Sequence, residues 1–107
     1  MGQRKYPPLL GREVREILVA LGFVKKSPTG SSHEQWERAA SSGHRRAVVT
    51  VDQNESPFNE YITKMMINQS TFTREEFYGS TEGTAKKIGV KHLRNAQRSV
   101  DEKNLNQ

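Results

Sequence analysis

Between Gly11 and Leu21 the apolar residues Val14, Ile17, Leu18 and Leu21 recur at i, i+3, i+4 and i+7, with Arg12, Arg15 and Glu16 between them. That spacing puts the four on one face of a helix and leaves the charges to water. Gly22 follows, where a helix commonly ends in a left-handed residue. The period then changes. Phe23–Lys26 reads as a short strand, Ser27–Ser31 as its turn and Ser32–Arg38 as a second strand. Arg46–Val51 is β-branched and alternating, and predicts a third strand. The stretch Ala39–Gly43 reads as a flexible hairpin tip. Two successive hairpins make a three-stranded antiparallel meander.

Helical signals return at Ser56-Pro57, with Ser as N-cap and Pro at the first helical position, where its missing N–H is not needed. Tyr61, Ile62, Met65 and Met66 supply the apolar face of this second helix, the methionines as core filler. Thr73-Arg74-Glu75-Glu76 is a T-x-x-E capping box opening a short helix through Phe77 and Tyr78 to Gly79. Another helical turn is expected at Thr84–Ile88. The chain therefore divides into a basic N-terminal arm over 1–9, a single domain over 10–89 and a polar tail over 90–107. The class is α+β in the order α-β-β-β-α, with short extra C-terminal helices. The helices should cover one sheet face and leave the other to water or a partner.

Charge sharpens this outline. Among 107 residues, 17 Lys and Arg stand against 12 Asp and Glu, a net charge of +5, which attracts polyanions such as RNA. A plainly solvated basic surface is the alternative. There is no cysteine, which removes disulfides, thiolate zinc sites and a cysteine nucleophile together. No apolar segment suits a secretory signal or a membrane span, so a cytoplasmic protein is expected.

The chemistry rests on histidine. Alternation sets His33, Gln35 and Glu37 on one face of the second strand, and Glu34, Trp36 and Arg38 on the other. Trp36, the only tryptophan, should pack under the helices, which sends His33 to the open face. There an imidazole can exchange protons near neutral pH and activate an RNA 2′-OH; a plain surface histidine is the competing reading. Glu37 lies about 13 Å along the strand, too far for direct cooperation. Lys25, Lys26, Arg45 and Arg46 are the expected RNA-phosphate contacts, or else a solvated strand edge. His44 and His92 have no positioned neighbour in the sequence. Three scattered histidines match no metal-ligand spacing, and Gly79-Ser80-Thr81-Glu82-Gly83 lacks the ending of a phosphate-binding P-loop. Neither a metal nor a small-molecule cofactor is expected.

A helix ending in Leu21-Gly22-Phe23, a strand, Gly30-Ser31-Ser32-His33, another strand and a valine-rich strand together resemble the HicA toxins of HicA/HicB toxin–antitoxin modules. Met65-Met66-Ile67-Asn68-Gln69 followed by Arg74–Gly79 is similar to the second-helix region of longer members, so the resemblance spans about Gly11 to Ile88. It implies a double-stranded-RNA-binding-domain-like fold and a metal-independent mRNA interferase, an endoribonuclease, with His33 as the catalytic residue of a Gly-Ser-x-His motif. It also implies that Gly30 and Ser31 shape the turn and offer backbone N–H groups to a phosphate, and that a HicB-type antitoxin covers His33. The chain departs from the family at Ser32, where many members carry histidine or asparagine, and in the acidic strand exit Asp52-Gln53-Asn54-Glu55. A non-catalytic RNA-binding module and a structural adaptor are the other classes these residues allow.

Overall fold

Helix α1, Gly11–Ala20, buries Val14, Ile17 and Leu18, the face that the spacing predicts. Leu21 is buried after it, and Gly22 takes φ 90°, a left-handed conformation that glycine adopts at no steric cost. The computed structural model describes residues 5–26, 32–41, 43–52 and 54–93. Three strands follow α1: β1 (Val24–Lys26), β2 (His33–Arg38) and β3 (Ala47–Asp52). They form one sheet in the order β1-β2-β3, antiparallel throughout. The predicted turn Ser27–Ser31, with Gly30 and Ser31, lies outside the described residues.

Strands β2 and β3 alternate as expected of a sheet covered on one side, while all three residues of β1 are exposed. Glu34, Trp36 and Arg38 of β2 are buried beside Ala47, Val49 and Val51 of β3, while His33 and Gln35 are exposed on the opposite face. The buried side joins Val14, Ile17 and Leu18 of α1 with Met66, Phe72, Phe77 and Tyr78 in one core. Helix α2 is Glu60–Ser70, α3 is Arg74–Gly79 and α4 is Glu82–Lys87. The result is a small α+β domain with a three-stranded antiparallel sheet and four helices among the described residues. None of these helices is long and apolar enough to cross a membrane.

Three expectations change. Ser56-Pro57 does not open α2, which begins at Glu60, and Phe58 gives its N–H to the Leu9 carbonyl at 2.9 Å. Asn59 caps α2 instead, its Oδ1 accepting from Ile62 N–H at 2.8 Å. Ser56 Oγ does serve a helix start, but that of α1, accepting from Gly11 N–H at 3.2 Å. The face of α2 is also turned. Thr63, Met66, Ile67 and Ser70 are buried, whereas Tyr61 is 74% exposed. The two polar residues can face the core because Thr63 Oγ1 donates to the Asn59 carbonyl and Ser70 Oγ to that of Ile67, inside their own helix.

Third, the hairpin tip is tied down. Ser41 and His44 exchange backbone hydrogen bonds at 2.8 and 3.0 Å, and the His44 ring stacks on Phe72 with centroids 4.3 Å apart. The guanidinium of buried Arg38 lies over the same Phe72 ring and donates to Ser41 Oγ and the Arg45 carbonyl. His44 therefore has a neighbour after all, and so does His92, whose Nε2 is 3.3 Å from the Ser80 carbonyl. The capping box predicted at Thr73 is present, with Thr73 and Glu76 each accepting the other's backbone N–H. Of the predicted arm, residues 5–9 are docked: Tyr78 Oη donates to the Pro7 carbonyl and Leu9 is fully buried.

Candidate functional site

The sequence-predicted residues converge only in part. His33 opens β2 on the helix-free face, its side chain 52% exposed. Directly across the ladder stands Asp52, the last residue of β3, with its Oδ2 3.7 Å from His33 Nε2. Directly opposed residues of an antiparallel pair face the same side, so this contact follows from the register. Asp52 is held from behind. Its Oδ1 accepts the Asn54 N–H at 2.9 Å and its carbonyl that of Glu55 at 3.2 Å. The next pair on the open face, Gln35 and Thr50, is joined by a side-chain hydrogen bond of 3.2 Å.

Glu37 is further along and belongs to a different group. It takes Lys26 Nζ at 3.8 Å and a hydrogen bond from Arg46 Nη2. Two of the four predicted phosphate contacts thus share one carboxylate on the open face. Lys25 pairs with Trp36 in the ladder and so belongs to the helix-covered side. Its Nζ lies 3.6 Å from Glu34 Oε2. Arg45 is exposed beyond the hairpin tip. The four cations predicted as one RNA-contact set are therefore divided between the two faces and the tip.

Sequence reasoning missed Glu34 and Asp52. Glu34 is 3% exposed, and an unpaired carboxylate there would be expensive to bury. Arg15 Nε donates to both of its oxygens, at 3.1 and 3.2 Å, and Trp36 Nε1 donates to Oε1 at 2.9 Å. Burial pushes its pKa up, but the hydrogen bonds from Arg15 and Trp36, with the charges of Arg15 and Lys25, outweigh that. The carboxyl is held below the usual glutamate value. This cluster ties α1 to β2 one residue from His33. Asp52 stands in the sequence as part of an acidic strand exit, and only the extension of β3 by one residue beyond Val51 brings it into the ladder. Matching inward Trp36 to inward Val49 would have set Asp52 opposite His33.

Among the described residues no three His, Asp or Glu side chains converge as a metal would need. A cavity of about 500 Å³ lined by Tyr6, Pro8, Pro57 and Phe58, among others, shares no residue with the His33 group. No family model matches this chain, and neither a curated protein nor a solved structure does.

Proposed function

We propose that this protein is a metal-independent endoribonuclease of the HicA type, a toxin that halts translation by cutting mRNA, with His33 as its catalytic base. The fold we assign on this reading is double-stranded-RNA-binding-domain-like. The observation that carries it is an accessible imidazole at the end of a helix-free sheet face, at the position that the Gly30-Ser31-Ser32-His33 resemblance marks. The net charge of +5 favours a polyanionic substrate.

In the reaction, His33 takes the proton of a ribose 2′-OH, and the 2′ oxygen forms a bond to the adjacent phosphorus. The bond from phosphorus to the 5′ oxygen of the next nucleotide breaks. Solvent protonates the departing oxygen, and the imidazolium returns its proton to solvent. The products are a 2′,3′-cyclic phosphate and a 5′-hydroxyl end. Gly30 and Ser31 would offer backbone N–H groups to the phosphate, and Lys26 and Arg46 would hold the flanking strand. The partner that silences such a protein is a HicB-type antitoxin seated over His33, with acidic surface against the toxin's positive charge.

Induced expression of the wild type in bacteria, beside His33→Ala, tests this reading. Growth arrest with mRNA loss in the wild type alone, and cleavage by purified protein in excess chelator, is the expected result. Normal growth with intact mRNA for both folded proteins would leave a non-catalytic RNA-binding module instead.

A further inference from the structure

We infer that the RNA lies single-stranded along β2, with the scissile phosphate at His33 and a second phosphate, about two nucleotides away, held between Lys26 and Arg46 at the far end of the strand. This rests on the proposed reaction, and it adds to it the path of the substrate, its direction and its least length.

The clamp comes first. β2 is the middle strand, and Glu37 near its end is met from both flanks. Lys26 of β1 takes its Oε1, and Arg46, just before β3, takes its Oε2. The carboxylate side chain is 27% exposed, whereas those of the two cations are 56% and 62% exposed. An anion arriving from solvent therefore meets the ammonium and the guanidinium before the carboxylate that steadies them. Two cations against one carboxylate leave the group positive, and phosphate is an anion that a guanidinium grips through two oxygens.

Spacing and charge then fix the path. His33 and Glu37 share one face of β2 and lie about 13 Å apart along it. A stretched RNA strand reaches roughly twice the 3.4 Å per-strand rise of a duplex, so about two nucleotides cover that distance. Attack of a 2′-OH in line with the leaving oxygen also needs a backbone released from duplex geometry, which is the stretched form. Between the anchors stands uncharged Gln35, its amide donating to Thr50 Oγ1 at 3.2 Å. Lys26 is opposite Gln35 in the ladder, but its ammonium is drawn to Glu37 and serves the clamp, not the nucleotide between. Direction follows from the acidic end. Asp52 faces His33 across the ladder, and exposed Glu55 is tied to the Asp52 carbonyl. Phosphates are repelled there and attracted toward Lys26 and Arg46.

The experiment cleaves a single-stranded RNA oligonucleotide of mapped cut site in excess chelator, with one linkage at a time made neutral as a methylphosphonate. It is run on the full chain as wild type, as His33→Ala and as the double variant Lys26→Gln, Arg46→Gln, each checked for folding by its thermal midpoint. For the wild type we expect kcat/KM to fall about 10-fold, the loss of one charge-assisted contact, when the neutral linkage lies two steps from the cut on one side. The linkage one step away on that side should be nearly silent. In the double variant the two-step effect should vanish. If His33→Ala abolishes cleavage while the wild type shows equal losses at every linkage, or none at two steps, the path is overturned and the catalytic histidine stands. A two-step effect undiminished in the double variant overturns it equally, since other groups then hold that phosphate. If the wild type leaves RNA intact, or His33→Ala cleaves as the wild type does, the catalytic reading fails, and the path measured from His33 fails with it. Should the double variant unfold, Lys26→Gln alone replaces it, with a reduced two-step effect as the expected result and a wild-type pattern as the contrary one.

Discussion

Arg15 and Glu34 form the charged rivet between the helical layer and the sheet, with one guanidinium nitrogen donating to both carboxylate oxygens at 3.1 and 3.2 Å. The carboxylate is buried and the guanidinium is about a third exposed. Trp36 and Lys25 complete the set. Because the native carboxyl titrates below the unfolded one, folding is favoured by its ionisation. That contribution is full above the unfolded glutamate pKa of about 4.3, and it disappears as pH falls through the lower native value. Glu34→Gln removes it at all pH. We expect a destabilisation of about 1–3 kcal/mol at neutral pH, discounted for the exposure of both cations, and a much smaller gap at about pH 3. Urea midpoints followed on the single tryptophan at both pH values check this. A gap of equal size at the two would show that packing, not charge, is what the substitution removes.

The turned face of α2 separates two adjacent methionines. Met66 is fully buried and Met65 is 37% exposed. Met66→Ala should cost about 2–5 kcal/mol, the range for emptying a buried position. Met65→Ala should cost less than about 1 kcal/mol, since alanine is also the better helix former. Equal thermal shifts for the two variants would contradict the observed helix rotation.

Caps cross between distant segments. Ser56→Ala should loosen the start of α1, 45 positions away, and Asn59→Ala the start of α2, each by about 0.5–2 kcal/mol. Amide hydrogen exchange resolves the two by residue. Ser56→Ala should accelerate Gly11 and leave Ile62 protected, and Asn59→Ala should do the reverse. Acceleration of Ile62 by Ser56→Ala would return Ser56 to the helix that directly follows it.

Glu37 restrains the two cations of the open face. On the proposed function, Glu37→Gln removes one negative charge there and should tighten binding of single-stranded RNA, most at low salt. Lys26→Gln should weaken it and lower the slope of log affinity against log salt by about 0.7, the change for one phosphate contact on a single strand. Binding titrations between about 50 and 200 mM salt measure both. An unchanged slope would remove Lys26 from the proposed phosphate contacts.

Much of this architecture is written in short-range pattern. The apolar spacing of Val14, Ile17, Leu18 and Leu21 selects the face of α1. Alternation from His33 to Arg38 sends Trp36 inward and His33 outward, and Thr73 with Glu76 marks the start of α3. In each case the interacting residues are near neighbours in the chain, so helix or strand geometry alone decides where they meet. The tertiary structure decided the rest. Met65 and Met66 are equivalent by hydropathy, and only the packing of α2 against the sheet chooses between them. Ser56-Pro57 fits a helix start locally, yet Phe58 is claimed by Leu9 and Ser56 by Gly11. Lys25 and Lys26 are adjacent, and the pleat sends one to Glu34 and the other to Glu37. The placement of Asp52 beside His33 depends on the register of two strands, which local spacing does not advertise, since a shift of one residue would turn Asp52 to the other face. The sequence by itself determined which residues lie on which side of α1 and β2. Which of them touch was decided by long-range packing, because a partner distant in the chain is selected by the fit of whole faces and not by local spacing.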